Sequence, residues 1–269
     1  MTAGVHRWPQ ALLAGGLAVW GLVSSESRAQ SLYVVPTKSP AAPVDEALPL
    51  RVLLHTRNPD ELAKVLGVEA PGAGTDALPY VLDGYTVIHG IPERGWLDST
   101  FVLDYKDGKV AQLSAELEKS LGRKPAADAA TRTALVEFVA ATVKASLDRE
   151  FDIASEVATR REGDCTEHAV LTAALARAAG IPARVVLGLA LIHDAKHYGS
   201  YGHAWAELRI DGQWVVADAV LRNQKYPVRY LPFGVLENEG MGFMLDVARL
   251  TPVWVQRVEV LGGVAAQSK

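Results

Sequence analysis

Three side chains in this sequence are of the types that carry out nucleophilic catalysis. Cys165 is the only cysteine among the 269 residues, and His203 and Asp218 follow it in the chain. A thiol, an imidazole and a carboxylate can act together as nucleophile, base and orienting group. A lone cysteine cannot form an intramolecular disulfide, so it serves either packing or chemistry.

The residues around Cys165 predict that it begins a helix. Asp164 is a favourable N-cap, and Glu167 three residues later completes a capping box. Cys165 then lies in the first helical turn, where the helix dipole and the free N–H groups favour a thiolate. Its own N–H could stabilise an oxyanion. The alternative is a small buried cysteine that the helix covers, with no chemical role.

The turn at residues 211–212 predicts how His203 and Asp218 meet. Asp-Gly is typical of a two-residue hairpin turn, which pairs Ile210 with Gln213. This register makes His203 and Asp218 diagonal neighbours on one face of the hairpin, within reach of each other. The alternatives are a surface or structural histidine and a carboxylate that only closes a turn.

The elements that must position these residues follow from periodicity and from helix-stop signals. Before residue 97 we predict a strand at 50–55, a helix at 59–66 and one or two strands within 80–89. After it we predict helices at 110–121, 127–148, 153–159 and 165–179. The predicted strands there are 99–105, 184–192, 203–210, 213–219 and 253–261. Helices followed by antiparallel strands predict an α+β fold.

The ends of the chain predict export and a segmented organisation. Residues 1–29 read as a signal peptide with a short apolar region and small residues before the cleavage site, although an uncleaved anchor is the alternative. Residues 30–49 are rich in proline and alanine and predict a tether. Residues 50–96 form a small segment of unknown role, and residues 97–269 form the main domain.

Composition restricts the classes of partner. The sequence has 27 basic and 31 acidic residues, and removing residues 1–29 leaves 25 and 30, a net charge of −5. A mildly acidic protein is a poor candidate for binding nucleic acid. A metal site using His193 or His197 is an alternative that the irregular spacing and the single thiol disfavour. We predict no cofactor.

Several blocks of sequence resemble the bacterial transglutaminase-like superfamily. They are Gly163-Asp164-Cys165-Thr166-Glu167-His168-Ala169, Ala176-Arg177-Ala178-Ala179-Gly180-Ile181-Pro182-Ala183-Arg184-Val185-Val186, His203-Ala204-Trp205-Ala206-Glu207, and Trp214 with Asp218. The resemblance covers about residues 97–225. It implies a papain-like core with N-terminal helices packed on an antiparallel sheet, and a triad of Cys165, His203 and Asp218.

The chain departs from the pattern of the family at one point and leaves another open. The family often has Pro or Thr soon after the aspartate, where this chain has Ala219. The second oxyanion donor is unassigned, with Trp96 and residues 149–162 as candidates. We expect His168 to pack rather than to act as the base, and Arg177 and Arg184 to form structural ion pairs or carbonyl bonds.

The predicted function is that of an exported, periplasmic or secreted, cysteine-dependent acyl-transfer enzyme. It would hydrolyse a peptide, protein or cell-wall amide through a Cys165 thioester. The superfamily also contains protein cross-linkers, so a cross-linking transglutaminase is one alternative. A non-catalytic module that binds peptide or cell-wall material is another.

Overall fold

The computed structural model describes most of the chain between residues 34 and 264. The ranges are 34–72, 74–83, 88–91, 94–146, 151–193, 197–245 and 255–264. The predicted signal peptide lies outside the described residues. The helices are α1 (Pro59–Leu66), α2 (Gly108–Leu121), α3 (Ala129–Thr142), α4 (Ala154–Arg160) and α5 (Cys165–Ala178). The strands are β1 (Val34–Val35), β2 (Thr37–Lys38), β3 (Leu50–Thr56), β4 (Ala77–Leu82), β5 (Lys144–Ala145), β6 (Glu162–Gly163), β7 (Ala183–His193), β8 (Tyr198–Ile210), β9 (Gln213–Ala217), β10 (Arg229–Val235) and β11 (Val255–Gly263).

The main sheet is antiparallel and carries the predicted hairpin. Its strands run in the order β1-β8-β7-β10, and β9 pairs with the other part of β8. Ile210 pairs with Gln213 and Ala206 pairs with Ala217, so the predicted register of the hairpin is confirmed. Most residues of β7 and of the second half of β8 are buried, because both faces of this sheet are covered.

The helix α5 packs on one face of the main sheet and is the central helix of the domain. Twelve of its 14 residues are buried, which is typical of a helix surrounded on all sides rather than of a surface helix. Helices α2, α3 and α4 contact it from outside, and β7 and β8 contact it from the sheet. Together they enclose one apolar cluster that includes Cys165. The predicted α+β class, with helices packed on an antiparallel sheet, is confirmed.

A second sheet covers the other face and joins the two ends of the described chain. Its order is β2-β11-β3-β4, in which β11 pairs antiparallel with β3 and parallel with β2. Residues 34–38 lie in the predicted tether, yet β1 pairs with β8 and β2 pairs with β11. β-Branched residues favour strands, and the open edges of both sheets supply hydrogen-bonding partners. The division of the chain into domains stays a prediction.

Two predicted elements differ from the structure, and one strand of the main sheet was not predicted. Residues 99–105 form bends rather than a strand, because Val102 donates its N–H to Glu239 and the side chain of Asp104 accepts the N–H of Ser155. The helix predicted over 127–148 ends at Thr142, since residues 144–145 pair with β6. The sequence analysis missed β10, whose Pro232 is tolerated because β10 is an edge strand with a bulge at that point.

Candidate active site

The N-terminus of α5 is built as the sequence predicts. The carboxylate of Asp164 accepts the N–H of Thr166 at 2.7 Å, and the carboxylate of Glu167 accepts the N–H of Asp164 at 2.8 Å. This completes the capping box and makes Cys165 the first helical residue. The backbone N–H of Cys165 is therefore one of the first-turn donors that the helix itself leaves unpaired.

Glu167 folds back beneath the helix start and explains the glycine before Asp164. Its side chain is fully buried and also accepts the N–H of Asp152 at 3.0 Å. A Cβ atom on Gly163 would lie 2.3 Å from the Cβ of Glu167, so only glycine fits there. Burial, and next the charge of Asp164, raise the pKa of Glu167 to about 7.

His203 lies between the other two predicted site residues. Its Nε2 donates to Oδ2 of Asp218 at 2.7 Å, and the side chain of Cys165 lies near enough to help raise the pKa of the ring. Since Nε2 is engaged by Asp218, Nδ1 is the nitrogen that remains for the thiol. The structure therefore brings together all three residues that the sequence singled out.

The charge of the Asp218 carboxylate controls the ionisation of His203. Burial alone would favour the neutral ring, but the negative charge of Asp218, the hydrogen bond that the ring donates to Asp218 and the nearby side chain of Cys165 outweigh it. The pKa of His203 is raised to about 10. For Asp218, burial opposes ionisation, yet the charge of His203 and four hydrogen bonds hold its pKa below the ordinary value.

The turn after Asp218 is closed by the carboxylate itself. Oδ1 accepts the N–H of Val220 at 2.8 Å and the N–H of Leu221 at 3.1 Å. The absence of Pro or Thr at position 219 therefore does not displace the carboxylate. This Asx-type turn fixes Asp218 at the point where it leaves the β8–β9 ladder.

Two aromatic side chains surround the histidine and the carboxylate. The ring of Trp205 stacks against His203, with centroids 6.2 Å apart and an interplanar angle of 21°. Tyr230 packs on Trp205 with centroids 5.0 Å apart. The hydroxyl of Tyr230 donates to Oδ2 of Asp218 at 2.9 Å. Sequence analysis missed Tyr230 because no motif marks it and its strand, β10, was not predicted.

The candidate site is closely packed. Cys165, His203 and Asp218 are 6%, 5% and 7% exposed. A cavity of about 610 Å³ opens beside Asp218 and Tyr230, between α3 and the loop that precedes β10. Asp218 is one of its lining residues, and three cationic side chains line it: Arg132, Arg222 and Lys225.

Several candidates for a second oxyanion donor have other contacts in the described residues. Trp96 lies in an apolar cluster with Val186 and Trp205. In the stretch 149–162, the N–H groups of Asp152 and Ser155 donate to Glu167 and Asp104. Residues 149 and 150 lie outside the described residues, so Cys165 supplies the one donor that we assign.

The remaining polar residues have the structural roles that the sequence predicts. His168 places its two ring nitrogens 2.6 Å and 3.2 Å from the carbonyl oxygens of Asp164 and Val143. Arg177 forms a buried bidentate salt bridge with Glu239, and Arg184 forms a salt bridge with buried Glu207. These residues fasten α5 and β7 around the site.

No further ligand group is evident in the part of the chain that the structure describes. Within it, no cluster of three or more His, Cys, Asp or Glu side chains is arranged to hold a metal ion. Within the same residues, no helix has the length and apolar character needed to cross a membrane.

Three solved structures are similar to part of the chain. A candidate cysteine protease from Cytophaga hutchinsonii is 23% identical, with 51% of this chain and 45% of that chain covered and a TM-score of 0.38. A TGase is 20% identical, with 44% and 32% covered and a TM-score of 0.33. The periplasmic domain of TgpA from Pseudomonas aeruginosa is 24% identical, with 41% and 42% covered and a TM-score of 0.31.

The chain thus spans less than half the length of each of these structures. No curated protein matches it. The family model of the transglutaminase-like superfamily matches residues 115–219, the part that contains Cys165, His203 and Asp218. In this stretch of the chain, residues 115–219, the sequence is therefore similar to the transglutaminase-like superfamily.

Proposed function

We propose that the protein is an exported cysteine-dependent acyl-transfer enzyme that hydrolyses a peptide or amide bond. Cys165 is the nucleophile, His203 the base and acid, and Asp218 the orienting group. One observation carries this proposal: His203 is bonded to Asp218 at 2.7 Å through Nε2, and the side chain of Cys165 lies near enough to help raise the pKa of the same ring. A base that lies next to a nucleophile and is held in place by an orienting group is typical of covalent catalysis.

The electrostatics favour a resting thiolate–imidazolium pair. The raised pKa of His203 keeps its ring protonated at neutral pH, and a positive ring beside the sulfur stabilises a thiolate. Cys165 also lies at the first turn of α5, where the helix dipole acts in the same direction. The thiolate is the reactive form of cysteine, so the pair is ready to attack a carbonyl carbon.

In the first half-reaction the sulfur of Cys165 bonds to the carbonyl carbon, and the C=O π electrons move to oxygen. The N–H of Cys165 donates to this oxyanion. As the oxyanion collapses, the C–N bond breaks and His203 gives its proton to the leaving amine. The product is a thioester on Cys165, and His203 is left neutral.

In the second half-reaction neutral His203 takes a proton from water as the water oxygen attacks the thioester carbonyl. The C–S bond breaks, the acid product leaves, and the thiolate–imidazolium pair is restored. A lysine amine in place of water would give a cross-link by the same steps. Hydrolysis is favoured since water is always present, whereas the close packing of the site favours cross-linking as the second candidate.

Export is part of the proposal and is supported by residues 1–29 alone, which have the charge, apolar stretch and small residues of a signal peptide. Fractionation of cells that express the full chain would test it. We expect the mature protein outside the cytoplasm with its new N-terminus near residue 30; retention of the uncleaved chain in the membrane would contradict it.

Trapping the thioester tests the chemistry. We expect p-nitrophenyl acetate to acetylate the full chain at Cys165, as read by intact and peptide mass spectrometry, and Cys165→Ala to remain unmodified. The bound acyl group should then be lost to water, or be transferred to added cadaverine if the protein is a cross-linker. Absence of acylation in the folded chain would contradict catalysis and favour the non-catalytic module.

A further inference from the structure

Tyr230 touches the candidate site without belonging to any motif. Its hydroxyl donates to Oδ2 of Asp218 at 2.9 Å, the same oxygen that accepts Nε2 of His203 at 2.7 Å. Its ring is held against Trp205, which in turn stacks on His203. The hydroxyl is therefore fixed in place by packing, and it is not a surface group that reaches Asp218 by chance.

We propose that Tyr230 is a positioning residue that sets how tightly Asp218 holds the proton of His203. This inference rests on the proposed function, because it concerns the base of that reaction. Tyr230 does not touch the thiol or the reacting carbonyl, and it acts only through the carboxylate.

The argument begins with the carboxylate of Asp218. Oδ1 accepts two backbone N–H groups, and Oδ2 accepts one imidazole N–H and one phenol O–H. Four donors fill the ordinary capacity of a carboxylate and fix its rotation. Without the phenol, Oδ2 would keep His203 as its only partner among the described residues.

Two donors on one oxygen compete for the same negative charge. When His203 is neutral, the phenol carries more of the stabilisation of Asp218; when His203 is protonated, it carries less. Removing the phenol therefore destabilises the neutral ring more than the protonated one, and His203 keeps its proton to a higher pH. Asp218 also loses a donor to its charged form, so it accepts a proton at a higher pH.

Other charged groups face this unit and stay in place when only Tyr230 changes. Cys165 and His168 face it from α5. Burial lowers the pKa of His168, and the charge of Asp218 opposes that shift. Around the cavity that Asp218 and Tyr230 help to line, the charged side chains are Arg132 and Glu137 of α3 and Arg222 and Lys225 of the loop before β10. A shift that follows removal of one hydroxyl is thus attributable to that hydroxyl.

The test is Tyr230→Phe in the full chain, with Tyr198→Phe as the matched control. Tyr198 also donates its hydroxyl to a carboxylate, Glu46 at 2.6 Å, and that carboxylate lies 2.7 Å from His193. The readout is the titration of the His203 ring nitrogens by nitrogen-15 NMR. We expect Tyr230→Phe to raise the midpoint by about one pH unit, and Tyr198→Phe to leave it unchanged.

A second variant guards against a folding defect. Site-specific 3-fluorotyrosine at position 230 keeps the ring and makes the hydroxyl a stronger donor, so the His203 midpoint should move downward. A midpoint that is the same in wild type, Tyr230→Phe and the fluorinated protein overturns the proposal. The NMR titration needs no substrate, so it can be measured even if Cys165 is unreactive. An unreactive Cys165 would refute the proposed function, whereas an unchanged His203 midpoint would refute the role of Tyr230.

Discussion

Among the histidine–carboxylate pairs of the described residues, the fully buried pair of His203 and Asp218 and the partly buried pair of His193 and Glu46 differ in what surrounds them. His203 lies 2.7 Å from Asp218, and His193 lies 2.7 Å from Glu46. Each carboxylate also accepts a tyrosine hydroxyl, and each ring stacks on an aromatic side chain. The two regions are therefore similar in the residue types they bring together and in the distance between ring and carboxylate.

The two regions differ in the charged groups that neutralise the carboxylate and in the side chain that lies next to the histidine ring. Glu46 is already neutralised by the buried guanidinium of Arg229, which bonds its carboxylate at 3.0 Å and the carbonyl oxygens of Glu46 and Leu48. Asp218 receives only neutral donors besides His203. The thiol of Cys165 also lies near the imidazole of His203 and helps to raise its pKa, whereas the ring of His193 packs against Tyr198 and Tyr226.

The comparison teaches that a histidine–carboxylate contact does not by itself make a catalytic base. We call Glu46, His193, Tyr198 and Arg229 the Glu46 region. It ties residues 46–48 to the ends of β7 and β10 and has a structural role. In the Cys165 region, which consists of Cys165, His203, Asp218 and Tyr230, the carboxylate of Asp218 has His203 as its one cationic partner. That partner lies next to the nucleophile. The following changes should separate the two regions.

The largest difference is expected in the reactivity of Cys165 at pH 6. An ordinary thiol with a pKa near ~8.5 is only about one part in 300 ionised there. We therefore expect His203→Ala to slow alkylation by iodoacetamide roughly 300-fold, measured by mass spectrometry. His193→Ala should stay within about twofold of wild type. Equal rates in all three proteins would remove the distinction between the two regions.

The next effect concerns stability and belongs to the Glu46 region. Arg229→Gln leaves the carboxylate of Glu46 without its cation and two carbonyl groups without a donor. We expect a loss of about 2 kcal/mol in the free energy of unfolding, measured by urea denaturation, with unchanged alkylation of Cys165. The control Arg123→Gln removes an exposed pair with Asp128 and should cost under about 1 kcal/mol.

Asp218→Asn tests the carboxylate of the Cys165 region with little change of shape. The amide cannot stabilise a protonated ring, so the thiolate–imidazolium pair weakens. We expect alkylation at pH 6 to fall about 10-fold or more, since a neighbouring charge shifts a pKa by at least about one unit. Glu46→Gln is the matched control, and an equal loss in that variant would count against the account.

The last effect is a pH dependence of stability. His203 has a folded pKa raised to about 10 against an ordinary value near 6.5. Its contribution is fully present below about pH 6.5 and is lost as the pH rises toward 10. In a Cys165→Ser background, which removes the thiol titration, we expect a fall of at most about 1.4 kcal/mol per pH unit. Adding His203→Ala should abolish this slope; His193→Ala should not.

Sequence reasoning succeeded where the determining interactions are local. Asp164, Cys165 and Glu167 lie within four residues, so their capping box could be predicted. The Asp-Gly turn fixed the register that places His203 near Asp218. Both features are set by short-range geometry and do not depend on the rest of the fold.

The parts that could not be predicted depend on distant pairing. Tyr230 reaches Asp218 only because β10 pairs with β7. Proline is disfavoured in strands, so Pro232 made that strand hard to predict from the sequence. Arg229 and Glu46 are 183 residues apart, so nothing local joins them. Residues 34–38 read as a tether, because the sheet edges that pair with them are formed by β8 and β11, far along the chain.

The pH–rate profile of Cys165 alkylation in the unmodified full chain tests the central claim most directly. Iodoacetamide modification between pH 4 and 10, mapped to Cys165, reports the population of reactive thiolate. The account predicts reaction that is already fast at pH 6 and that slows when His203 is replaced. A single rise centred near ~8.5, as for an ordinary thiol, would contradict the claim that His203 and Asp218 activate Cys165.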